Sequence, residues 1–196
     1  MIRNTADRWG AVSRNLHWIM AAMVAVQVPL GFWMNNVYDE LVAANSMDFS
    51  RLLMISRLHH TLGFLILILA TLRLTWRVTN PTPGLPASLA AYQRLVARLT
   101  HAFLYVLLLA FPLSGWAALS AYEGEFPIFF FGWDGVPRLV PQAVDGSNAP
   151  YQFYAAIHKA CWRIGAGILA LHVAGALWHH FVVRDNVLRR MLGSHQ

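Results

Sequence analysis

Charge is what this sequence has least of. Of its 196 residues, 12% are Asp, Glu, Lys or Arg, about half the roughly 25% typical of a soluble domain. Acids are the scarcer sign, nine against fifteen Lys and Arg. There is one cysteine, Cys161, so no internal disulfide can form, and it reads as a small packing residue. No C-x-x-C-H occurs, which excludes covalent c-type haem attachment. Internal repeats and low-complexity segments are absent. The N-terminal region carries charge up to Arg14 and lacks a small-x-small site closing its apolar run. It is therefore expected to be an uncleaved first span. The basic residues are not clustered with interleaved aromatics, so nucleic acid is not an expected partner.

Apolar residues are abundant: 57% are hydrophobic and the mean hydropathy is +0.45. The expected fold class is an all-α membrane protein, a four-transmembrane-helix bundle forming one integral membrane domain over 1–196. Four apolar runs, at about 16–34, 58–76, 101–121 and 154–180, each meet the roughly 20 residues that a bilayer core requires. Pro29, and Pro112 with Gly115, are expected to bend their helices. Residues 35–57, with Asp39, Glu40 and Asp48, read as a polar loop. NPTPGLP (80–86) cannot continue a helix, and 87–98 reads as a short amphipathic surface segment. EFPIFFFGW (125–133) is too short to span and is expected in the membrane interface. A basic tail, RDNVLRRML (184–192), follows the fourth span.

An even number of spans puts both termini on one side. That side holds ten of the fifteen Lys and Arg, in the terminal segments, at Arg73 and over 77–98, with Asp7 and Asp185 as its only acids. The other side holds five bases and seven acids. The positive-inside rule then predicts cytoplasmic termini.

Histidines carry the chemistry. His158 and His172 are fourteen residues apart in the fourth run, which puts them on nearly one helix face, about 21 Å apart along the axis. That is most of a core about 30 Å deep. Such a helix suits two stacked haems, with a ligand-type residue near each surface. The topology puts His59 or His60 level with His158, and His17 level with His172. Two depth-matched pairs in a bundle core would make two bis-imidazole sites. Ionisable residues inside a membrane tend to be functional. The plainer alternative for any single histidine is a helix–helix hydrogen bond. Zinc or copper competes as the metal, but zinc prefers four protein ligands or three plus water, whereas haem needs two axial ones. His101 stays open as a ligand, a quinone-site residue or a structural group. His179, His180 and His195 read as interfacial or tail residues. Gly63, Gly165, Gly167 and Gly175 would leave room for a flat macrocycle, or serve ordinary close helix packing.

SRNLHW (13–18), LHHTLGFLILILATLRLTWR (58–77), PTPGLP (81–86), HAFLYVLLLAFPLSGW (101–116) and the segment 157–191 together resemble the bacterial cytochrome b561 family. These are small four-span dihaem cytochromes b, and the resemblance covers residues 13–191. It implies His17 and His172 as ligands of a cytoplasmic-side haem b, and His59 and His158 as ligands of an outer one. His59 is preferred to His60 because Gly63 follows it by four residues, as in the family pattern. The haems would be non-covalent. Their anionic propionates need cations, for which Arg14, Arg73 and Arg77 are candidates inside and Arg57, Lys159 and Arg163 outside. Some family members oxidise superoxide and reduce ubiquinone. The resemblance therefore implies a multi-pass protein of the bacterial inner (plasma) membrane, acting as a superoxide:ubiquinone oxidoreductase. The alternatives are a relay subunit for a dehydrogenase or periplasmic redox partner and, from another class, a His-based metal or proton transporter.

Overall fold

The computed structural model describes residues 1–85, 89–144 and 146–193. Pro86 of the PTPGLP motif, residues 87 and 88 of the expected amphipathic segment, and His195 lie outside the described residues. Four long helices dominate: α1 (Ala11–Ala43), α2 (Ser50–Thr79), α3 (Ala91–Ala121) and α4 (Ala149–Trp178). A π-helical turn, His179–Val183, continues α4, and a short helix α5 (Val187–Leu192) is the last described element. All four long helices are long and apolar enough to cross a membrane. Among the described residues there is no strand, only two isolated bridges at Ile128–Gly135 and Phe130–Trp133. This is an all-α membrane protein. α1 packs on α2, α3 on α4, and α2 joins the two pairs through α3. α1 meets α4 through ring contacts, Phe32 on Trp162 and His17 beside His172.

One end of the bundle gathers both termini. Gly10 opens α1 where only glycine fits, because a Cβ there would lie 2.2 Å from the Ile2 carbonyl oxygen. Asn4 Oδ1 accepts from the Gly10 amide and from Ser13 Oγ, while its own amide donates to the Pro81 carbonyl. Trp18 donates to the Met191 carbonyl, and Arg190 to those of Gly84 and Asp7. This terminal end is thus tied together by side chain to main chain hydrogen bonds.

The opposite, loop end corrects the expected loop at 35–57. α1 runs on to Ala43 and α2 begins at Ser50, leaving only 44–49 as connection. Asp39 and Glu40 sit on helical turns that project beyond the apolar run, and Asp48 lies in the connection. Asn35 bonds Asp39 one turn on, and Val37, Leu52 and Ile55 form a buried cluster with Leu30, Met34, Leu41 and Phe126. Asn45 closes α1 with a left-handed φ of 48°. Two hydrogen bonds from Ser50, the side-chain one stronger, hold the exposed Asp48 carboxyl below its usual range.

The expected surface segment at 87–98 is also corrected, since from Ala91 it forms the first turns of α3. Gln93 accepts from the Ala90 amide, and Arg94 donates to the Leu89 carbonyl, which fixes that start. At the other end of α3, Arg138 donates to the carbonyls of Leu119, Ser120 and Tyr122. The 122–148 connection folds back over the loop end, burying Ile128 and Phe129 and leaving Phe131 and Trp133 exposed.

Candidate functional site

Histidines from different helices meet at two levels. At the terminal end, the rings of His17 (α1) and His172 (α4) have centres 6.1 Å apart. His101 (α3) joins them, 5.3 Å from His172, with its Nδ1 on the Ala97 carbonyl at 2.6 Å. Arg73 of α2 reaches the same level. Its Nε donates to the Tyr105 hydroxyl at 3.3 Å, and its Nη1 is buried without a partner.

At the loop end, His59 (α2) and His158 (α4) have ring centres 6.5 Å apart. His158 Nδ1 donates to the Phe111 carbonyl at 2.9 Å and lies 3.2 Å from Ser114 Oγ. A neutral ring that donates from Nδ1 carries its free lone pair on Nε2. Gly115, one helical turn past Phe111, backs this ring, and a Cβ there would fall 2.9 Å from its Cε1. Gly31 does the same for His59, at 3.1 Å. Gln27 sits one turn before Gly31 on α1. Its amide donates to the His59 carbonyl at 3.0 Å and lies 3.4 Å from His59 Nε2. His59 Nδ1 and Gln27 Oε1 are both buried without partners. His60 points elsewhere: it stacks on Phe129 and accepts from that residue's amide at 3.4 Å.

The other cationic candidates are dispersed. Arg14 donates to the Trp9 carbonyl and lies against Gly193, and Arg77 covers the Trp9 ring. Arg57 covers the Phe129 ring. Lys159 and Arg163 are exposed. Arg163, five residues beyond His158, lies about 140° around α4 from it. His179 pairs with Asp185 at 2.6 Å, and His180 Nδ1 is buried without a partner. Cys161 is buried and free. Among the described residues, no three His, Cys, Asp or Glu side chains converge as a metal-binding group.

The sequence reading missed Gln27, Gly31 and Ser114, and took Gly115 only as part of a bend with Pro112. Gln27 was detectable as the one amide in an otherwise apolar first run. Neither Gly31 nor Gly115 was marked as facing a histidine, because a glycine's opposite number depends on how the helices register.

A sequence model of the family described as prokaryotic cytochrome b561 matches residues 8–194. The chain belongs to the prokaryotic cytochrome b561 family. It is therefore a multi-pass bacterial membrane protein of electron transfer, and the family implies b-type haem. It is 34% identical to "Cytochrome b561 homolog 2" of Escherichia coli (strain K12) over 194 residues, covering 97% of this chain and 94% of that protein. "Cytochrome b561 homolog 1" of the same organism is 28% identical over 186 residues, 95% of this chain and 97% of that one. "Probable superoxide oxidase CybB" of Yersinia pestis is 26% identical over 135 residues, 69% of this chain and 73% of that one.

The residues present fit b-type haem. Imidazole binds metals at about 2.0–2.1 Å, so two rings gripping one ion from opposite sides have centres about 6 Å apart. The pairs at 6.1 and 6.5 Å meet that separation. Glycines free of side chains back both loop-end rings, and unpartnered buried nitrogens stand at both levels, His59 Nδ1 and Arg73 Nη1.

Proposed function

We propose that this b561-family protein is a single-domain dihaem cytochrome of the bacterial inner membrane, with cytoplasmic termini, that oxidises superoxide at its outer end and reduces ubiquinone. The observation that carries the reading is that α4 offers a histidine at each of two levels, and each ring stands about 6 Å from a histidine of another helix. In this reading His59 and His158 hold the outer haem, and His17 and His172 the inner one. When bound by these histidines, b-type haem would supply one-electron transfer, and two imidazoles per site would leave no place for oxygen to bind.

The chain's own groups do the rest. The Phe111 carbonyl fixes the His158 tautomer, leaving Nε2 as the ligating atom. Arg73 offers its unpaired Nη1 to an anionic propionate at the inner level. Lys159, next to His158, and Arg57 at the outer end draw a small anion inward. Two superoxide ions give up one electron each and leave as dioxygen, while ubiquinone takes those two electrons and two protons to become the quinol. The name of the Yersinia pestis relative supports this choice of substrate.

The acidic balance of the outer side, seven acids to five bases, favours a second reading, a relay subunit that takes electrons from a separate dehydrogenase or periplasmic partner. Pulsed superoxide separates the two. Reduction of the haem near the diffusion limit, with quinol formed in proportion, fits the first. Slow reduction, insensitive to replacing Lys159, contradicts it and leaves the relay.

A further inference from the structure

We infer that Ser114 is a positioning residue for His158 and fixes the plane of that ring at the outer centre. The inference rests on the reading of His158 as a haem ligand. Phe111, Ser114 and Gly115 fall at i, i+3 and i+4 of α3 and so share one face, and all three meet the imidazole. The Phe111 carbonyl stands 2.9 Å from Nδ1, and the Phe111 ring lies 4.2 Å from the imidazole, centre to centre. Gly115 closes on Cε1. Ser114 is buried, and its hydroxyl oxygen is 2.7 Å from the Phe111 carbonyl and 3.2 Å from Nδ1.

These contacts leave one arrangement of hydrogens. A carbonyl oxygen only accepts, so Nδ1 carries the proton that it donates to Phe111. Ser114 then cannot donate to Nδ1. Its O–H goes to the Phe111 carbonyl, and an oxygen lone pair is left facing the Nδ1–H. A serine in a membrane helix ordinarily bonds back to its own helix; here the same hydroxyl also gives the imidazole N–H a second acceptor. With the carbonyl alone, the ring could turn about its Cβ–Cγ bond while its N–H followed one oxygen. With two acceptors at Nδ1 and the Gly115 backbone against Cε1, turning breaks one contact or closes another. Nε2 keeps its direction because it belongs to the same rigid ring. His59 has no such hold, since its Nδ1 is buried without a partner. Of the outer pair, whose ring planes cross at 77°, His158 is therefore the fixed ring.

The crossing angle of two axial imidazole planes is a main determinant of the anisotropy of a low-spin ferric resonance, so a turned ring is visible by electron paramagnetic resonance. The test uses the full-length holoprotein in detergent and reads haem content and low-spin resonance on Ser114→Ala, Ser114→Thr, Ser120→Ala and His158→Ala. Threonine keeps the hydroxyl and, in a helix, can still bond the preceding turn. Ser120, bonded to the Trp116 carbonyl and the Leu139 amide, is the control for a buried serine of the same helix. The expected result is that Ser114→Ala keeps both haems and shifts one signal, the one that His158→Ala loses. Ser114→Thr and Ser120→Ala leave that signal in place. Unchanged signals in Ser114→Ala, or an equal shift in Ser120→Ala, overturn the role of Ser114, and one haem lost in His158→Ala leaves the ligand reading standing. Retention of both haems by His158→Ala overturns both. Should Ser114→Ala lose the outer haem outright, its retention by Ser114→Thr supports the role of the hydroxyl, and its loss from both refutes that role.

Discussion

Replacing Gly115 by alanine tests the ring cradle by adding a single methyl group. The new Cβ would lie 2.9 Å from Cε1 and 3.1 Å from Nδ1 of His158, well inside the roughly 3.5–4.0 Å of ordinary contact. Overpacking of this kind costs about 1–3 kcal/mol. Alanine in a helix returns about 1 kcal/mol relative to glycine, so the net effect is about 0–2 kcal/mol of destabilisation. The ring has to move away from α3, which lengthens the bond from Nδ1 to the Phe111 carbonyl and loosens the loop-end haem. Gly167 on the same α4 is the control. A Cβ there meets nothing within 4 Å, so Gly167→Ala gains stability by up to about 1 kcal/mol. The assay is thermal unfolding of the detergent-solubilised holoprotein, followed by haem absorbance, with haem-to-protein ratios alongside. Gly115→Ala should melt below wild type and hold the loop-end haem less firmly, while Gly167→Ala melts at or above it. If the two variants behave alike, the close approach of Gly115 to His158 does not hold that ring and the reasoning fails.

Three further outcomes follow from the geometry. Arg73→Leu removes the half-buried cation at the terminal-end level, so the midpoint of the haem there should fall while the other stays; a redox titration with both midpoints unmoved contradicts this. Arg163→Leu should keep full haem content, because Arg163 lies on the far side of α4 from His158; loss of a haem in the extracted spectrum would show that it does serve the cofactor. Arg138→Ala strands the carbonyls that close α3 and should lower stability by about 1–3 kcal/mol with the haem spectrum unchanged; an unaltered melting temperature refutes that capping role.

The four spans and the fourteen-residue spacing in α4 were readable from the sequence because both depend on one helix at a time. Hydropathy fixes where a helix crosses, and 3.6 residues per turn fixes which side chains share a face. The ends of the helices were less readable. Residues 35–43 are polar enough to resemble a loop and 91–98 read as a separate amphipathic surface segment, yet they continue α1 and begin α3. In 35–43 the apolar Val37 and Leu41 still recur one turn apart and pack in the Ile55 cluster.

The cradle was the least readable part. Gly63, Gly165, Gly167 and Gly175 stood out by position, but the glycines that meet histidine rings are Gly31 and Gly115, and Gly63 meets Gln27 instead. Which glycine opposes which ring is a property of the packing between helices, and no single-helix pattern contains it. The choice between His59 and His60 has the same character. The loop at 126–133 engages His60 through Phe129, and His59 is the ring that stands beside His158.

The account's central claim is that α4 grips one haem at each of two levels. The most direct measurement is haem stoichiometry in the wild type and in His158→Ala and His172→Ala, with the optical and resonance spectra of whatever remains. The account predicts two haems per chain in the wild type and one in each variant, with the survivors spectroscopically different. One haem in the wild type, or two in either variant, would contradict it.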